Sequence, residues 1–159
     1  MGLGAARASV EAKVYCGAMS LIDCLPHQPP MRLVEEIAEI QHGESAVGRR
    51  VAKPDDFYFQ GHFPGHPVVP AVILIELLAQ TGGLAAAAPP PGSSVAPLQL
   101  RVAAVGPFKF PAAAGAGATL EARARVAGRM GGLIKIEGTV SADGLVVATG
   151  SVTLGEVNP

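Results

Sequence analysis

The chain has 159 residues, 49% of them hydrophobic and 16% charged, with a formal net charge of −1. That length makes one domain with a real but modest core, and near-neutral charge without a basic run argues against bulk nucleic-acid binding. No apolar run reaches the roughly 18 residues of a membrane span. The two cysteines, Cys16 and Cys24, have no CxxC or metal spacing and read as reduced thiols in a cytoplasmic protein.

Residues 1–20 are rich in small residues with scattered charge and carry no apolar core of a signal peptide. They are expected to form a loosely ordered extension ahead of one domain over 21–159. Leu21–Leu25 reads as a helical turn stopped by Pro26. Pro29-Pro30 breaks the chain before a first strand over Arg32–Ile40, and His42-Gly43 turns it into an antiparallel partner over Glu44–Lys53. Phe57, Tyr58 and Phe59 follow, and packing beneath the next loop is expected of them.

That loop, GHFPGHPVVP over Gly61–Pro70, leads into the apolar run AVILIELLAQTGG. Proline suits a helix start and Pro89-Pro90-Pro91 cannot continue one, so a helix is expected from near Pro70 to before Pro89, a rod of about 25 Å. Val72, Ile73, Leu74, Ile75, Leu77, Leu78, Ala79 and Leu84 leave no polar face, so the helix is expected to be enclosed. After an Ala/Pro/Gly/Ser linker come strands over Leu98–Val105, Thr119–Ala127, Leu133–Ser141 and Leu145–Leu154. Gly106-Pro107 kinks the chain after the first, and Asp143-Gly144 marks a hairpin before the last. The expected fold is α+β, a long buried helix wrapped by an antiparallel sheet of about six strands. The high apolar content predicts a subunit interface.

Three features in the middle stretch carry chemistry. Glu76 stands among apolar neighbours, where burial is expected to raise its pKa and keep it a neutral proton donor. Gln80 shares its helix face four residues on and is expected to orient Glu76 or bound water. No Ser, Thr, Asp or Asn caps the helix, which leaves first-turn N–H groups, that of Ala71 among them, for a substrate oxygen. His62, held in a loop by Gly61, Pro64, Gly65 and Pro67, is a tunable base. His27, His42 and His66 form no HxH or HxxxH pair with it, so no metal site is expected. Arg49, Arg50, Lys53, Arg101, Lys109, Arg123, Arg125 and Arg129 read mostly as a solvated face.

HFPG, then PxxP, then ILIE, with Glu76 fourteen residues after His62, resembles the 3-hydroxyacyl-(acyl-carrier-protein) dehydratases of fatty-acid synthesis. LPHQPPMRLVEEI (25–37) resembles that family's Leu-Pro-His segment and first strand, and GPFKFP (106–111) its return segment. The likeness spans about Leu21–Leu154. It departs at Ala71, where the family usually has Gly, and at Ala114-Gly115-Ala116, where it usually has Pro-Gly-Asp.

The resemblance implies the hot-dog fold and reversible dehydration of 3-hydroxyacyl thioesters without cofactor or metal. It implies His62 and Glu76 as catalytic residues, with Phe63, Gly65, Ala71 and Gln80 against the substrate. It also implies an acyl carrier protein as partner, which some of the cations would steer. The expected assembly is a homodimer in which the His of one subunit meets the Glu of the other, often as a trimer of dimers. Glu76, where an isomerising branch has Asp, favours dehydration alone. A hot-dog thioesterase and a non-catalytic acyl-carrier-binding subunit are the alternatives.

Overall fold

The long apolar run forms one helix, α1 (Ala71–Ala87), in a computed structural model that describes residues 15–16 and 19–157. Pro70 is its N-cap rather than its first helical residue, with φ −60° and ψ 142°. The prolines from Pro89 onward end it. Its last carbonyls are bonded by groups from the turn after Gln41 and from Arg129 of a neighbouring strand. Gly43 N–H donates to Ala85 O at 2.7 Å, Arg129 Nη2 to Ala86 O at 2.9 Å, and His42 Nδ1 lies 2.9 Å from Ala88 O. These contacts satisfy orphan carbonyls that a C-terminal glycine would otherwise serve.

Short strands β1 (Tyr15–Cys16) and β2 (Met19–Ser20) pair with each other. The rest of the expected extension over residues 1–20 lies outside the described residues. A 3-10 turn (Leu21–Cys24) follows, where a helical turn is expected. Six further strands are β3 (Glu36–Gln41), β4 (Ser45–Val51), β5 (Leu100–Lys109), β6 (Thr119–Met130), β7 (Leu133–Ala142) and β8 (Leu145–Glu156). They form one antiparallel sheet in the order β3-β4-β6-β7-β8-β5. Asp143 and Gly144, with φ of 48° and 87°, make the tight β7–β8 turn that their sequence announces.

The helix lies across one face of this sheet, where Leu77, Leu78 and Leu84 pack with Leu120, Ile136 and Val152. Glycines set the close approach. A Cβ on Gly82 would stand 2.4 Å from Ile136 Cγ2, and one on Gly48 2.5 Å from Thr81 Oγ1.

Four expectations change. The helix is not enclosed throughout: Ala71 and Val72 are exposed, Val72 at 67%, and Ile75 and Glu76 are half-buried. The first strand starts at Glu36, because the Leu33 and Val34 amides bond to Gln80 instead of to a strand. Strand β5 runs through Gly106-Pro107, which it absorbs as a register shift between Val105 and Phe108. Arg50 is not on a solvated face. It is 6% exposed, with Nη2 2.6 Å from Asp56 Oδ2, an oxygen that also accepts from Tyr58 Oη and Lys53 N–H. That cluster anchors the segment leading to His62, and burial together with the Asp56 hydrogen bond pushes the Tyr58 hydroxyl pKa upward. Tyr58 and Phe59 are core residues, as expected, while Phe57 is 39% exposed.

Candidate active site

The loop before α1 is closed by its own backbone. Phe63 and His66 exchange N–H···O bonds of 3.0 and 2.9 Å, and Val68 N–H donates to His62 O at 3.0 Å. Gly61 and Gly65 take φ of 83° and 73°, which a Cβ would strain. His62 Nδ1 lies 2.8 Å from Val68 O. A carbonyl only accepts, so the ring proton sits on Nδ1 and the Nε2 lone pair is left to take a proton. Phe63 stacks on this ring at 4.0 Å and is 53% exposed; Gly65 is exposed too.

At the helix start, Ile73 and Leu74 N–H both reach Pro70 O, at 2.9 and 3.4 Å. The Ala71 and Val72 N–H groups have no acceptor among the described residues, and Pro70 supplies no side-chain cap. Two donors at the positive end of a helix dipole therefore stand open to an oxygen that gains negative charge.

Glu76 is one and a half turns further along. Its Oε1 lies 3.1 Å from His27 Nε2 and accepts a hydrogen bond from Gln80 Nε2 at 2.9 Å. Gln80 is 2% exposed, and its amide is otherwise engaged on backbone: Nε2 on Met31 O at 2.7 Å, Oε1 on Leu33 N–H at 2.8 Å. With those contacts it holds Glu76 and has no free amide group to offer a substrate.

The expected rise in the Glu76 pKa is corrected by this geometry. The His27 contact lowers it most, burial pushes the other way, and the Gln80 hydrogen bond lowers it again, so the carboxyl lies below its ordinary value. Apolar neighbours on the helix announce the burial; they say nothing of a histidine 49 positions upstream. The signal for His27 was its place in the Leu25-Pro26-His27 segment.

A cavity of about 250 Å³ opens beside Glu76. His27, Gln80, Leu84, Leu100 and Leu154 line it, with Arg101 as the one Lys or Arg among the described residues that do so. His62 is not among its lining residues, and among the described residues no hydrogen bond or ion pair joins His62 to Glu76. The single chain thus brings together Glu76, Gln80 and His27, while His62, in the loop, and the open amides of the first helical turn are not part of that hydrogen-bonded cluster.

The FabA-like domain model matches residues 25–151. The chain belongs to the FabA-like family. A relative from Roseiflexus castenholzii, a 3-hydroxyacyl-[acyl-carrier-protein] dehydratase FabZ, is 34% identical over 128 residues, covering 80% of this chain and 87% of that protein. A FabZ of the same description from Chloroflexus aggregans is 48% identical over 62 residues, covering 39% and 43%. Other FabZ matches likewise span less than half of the relative's length.

Solved structures share the fold at low identity. The dehydratase heterocomplex ApeI:P from Xenorhabdus doucetiae superposes with TM-score 0.67 at 20% identity, covering 86% of this chain and 91% of that one. A hypothetical thioesterase protein with coenzyme A from Streptococcus pneumoniae gives 0.56 at 12% identity, covering 77% and 85%. One long helix on a six-stranded antiparallel sheet is the hot-dog fold, and this FabA-like chain has it.

Proposed function

We propose that this chain interconverts 3-hydroxyacyl and trans-2-enoyl thioesters carried on acyl carrier protein, in fatty-acid or related lipid synthesis in the cytoplasm. The observation that carries the reading is a histidine with its Nε2 lone pair free and, fourteen residues on, a carboxylate fixed by two donors, the spacing on which the dehydratase resemblance rests. In the dehydration direction the thioester oxygen binds the Ala71 N–H, with the helix dipole stabilising enolate-like charge. The Phe63 ring and Gly65 border the reacting carbons. His62 Nε2 takes the α-proton, and Glu76 protonates the departing 3-hydroxyl, which leaves as water.

The lowered Glu76 pKa sets a balance. Fewer molecules hold the acid form near neutral pH, but that form is a stronger acid, and hydration finds its carboxylate base ready. The acyl chain occupies the cavity lined by Leu84, Leu100 and Leu154.

His62 and Glu76 meet by assembly of two copies, each supplying one of them. The exposed Val72 at the helix start and edge strand β5, with Val105 53% exposed, support such a homodimer.

The test follows a short enoyl thioester by ultraviolet absorbance, with mass spectrometry of the product, for wild type, His62→Ala and Glu76→Gln. Hydration by wild type, lost by at least about 100-fold in both folded variants, is expected. Free acid as product would establish thioester hydrolysis instead, and an inert wild type on a carrier-linked substrate would remove the catalytic reading.

A further inference from the structure

We infer that His27 is a positioning residue for Glu76: its Nε2–H, with the Gln80 amide, holds carboxyl oxygen Oε1 so that Oε2 is the oxygen presented to the reacting hydroxyl. The inference rests on Glu76 being the acid of the reaction proposed above. Both donors converge on one oxygen, at 3.1 and 2.9 Å, and Oε2 has no partner among the described residues.

The His27 ring supports the assignment through its other nitrogen. Nδ1 is buried with no hydrogen-bond partner among the described residues. A proton there would be a buried donor without an acceptor, a costly arrangement, whereas a proton on Nε2 meets the carboxylate. The tautomer that fits is therefore the one that donates to Glu76.

The scaffold behind the contact is stiff. The 3-10 turn over Leu21–Cys24 and Pro26 bring His27 up to the helix. A few residues on, the backbone of Met31 and Leu33 is bonded to Gln80, one turn from Glu76. Histidine from this segment and glutamine from the helix thus meet at the carboxyl, and the Gln80 bonds to Met31 and Leu33 pin the segment to the helix. The other titratable or charged groups bordering the cavity are Cys24, on the 3-10 turn, and Arg101, on β5. Among the described residues Arg101 makes no hydrogen bond or ion pair with the carboxyl of Glu76.

A residue with this role makes three demands on its variants. Removing the donor should free the carboxyl to rotate and cut turnover by about tenfold or more, since small misplacements of a reacting group are expensive. The loss should fall on kcat more than KM, because His27 acts through Glu76. Glutamine at position 27, whose amide places an N–H near the site of Nε2, should recover much of it.

The experiment compares wild type, His27→Ala, His27→Phe and His27→Gln by enoyl-thioester hydration and by carbon-13 NMR titration of glutamate labelled at the carboxyl carbon. Glu76→Gln identifies the Glu76 resonance. The expected result is a Glu76 titration moved to higher pH in the Ala and Phe variants and returned toward wild type in Gln, with kcat following. An unchanged Glu76 titration in the folded Ala or Phe variant overturns the inference. So does a kcat loss in Gln equal to that in Ala. Should wild type prove inactive, the proposed reaction falls, and the NMR titration still decides whether His27 holds the carboxyl.

Discussion

Gln80 Oε1 accepts the Leu33 amide at 2.8 Å across 47 residues of sequence, and its Nε2 donates to Met31 O. One side chain thereby replaces the strand partner that the segment before β3 lacks. Gln80→Leu should leave a buried N–H and a carbonyl unsatisfied, costing about 1–3 kcal/mol for each group that water cannot reach. Urea denaturation should show this as a lower midpoint with unchanged slope. Turnover should fall further than stability explains, because Glu76 loses a donor.

The two adjacent helix glycines should respond oppositely. Gly82→Ala would put a methyl 2.4 Å from Cγ2 of fully buried Ile136, and overpacking of that kind costs about 1–3 kcal/mol. Gly83→Ala finds its nearest neighbour, Leu154 Cδ1, at 3.8 Å, so it should gain up to about 1 kcal/mol of helix propensity. Thermal melts of the two variants should bracket wild type.

Asp56 stands where a buried guanidinium, a tyrosine hydroxyl and a backbone amide converge. Asp56→Ala would strand the Arg50 charge, a change worth about 3 kcal/mol or more when one partner of a buried pair is removed. Tyr58→Phe should cost only about 1 kcal/mol. Chemical denaturation measures both. The larger loss should also loosen the run into His62, visible as faster proteolysis between residues 53 and 66.

Acid should remove a stabilisation that Glu76 supplies. Its carboxyl is depressed in the folded chain below the ordinary 4.5, so the contribution is fully present above that pH and is lost as pH falls through the folded value. Glu121 acts in the same sense: burial opposes, but Arg49 and Arg123 prevail and lower it. Stability measured by urea between pH 7 and 3 should therefore fall less steeply in Glu76→Gln than in wild type. A parallel pair of curves would show that the His27 contact has no hold on the carboxylate.

Legibility in the sequence followed the range of the interaction. Alternation along Thr119–Ala127 and the Asp143-Gly144 turn are local, and both appear in β6 and the β7–β8 hairpin. Strand ends were less readable. β5 runs on through a proline because it is an edge strand that can absorb a bulge, and β3 begins late because Gln80 holds the residues before it. Charge was the least readable property. Arg50 looks like its surface neighbours until Asp56 and Tyr58 fold over it, and the direction of the Glu76 shift depended on a histidine that only the 3-10 turn brings near. The His62 loop and the bare helix start were legible because prolines and glycines dictate backbone regardless of what packs on them.

The uneven finishing of α1 has a consequence for how the molecule breathes. Its last turn is tied to strand β6 and to the turn between β3 and β4, while its first two amides find no acceptor among the described residues. Fraying should therefore start at Ala71, and hydrogen–deuterium exchange should be fast there and at Val72 but slow through the last turn. An acyl thioester seated on those amides would slow their exchange before any bond is made or broken. That gives an occupancy gauge for this helix that works without turnover, even in a variant with no chemistry left.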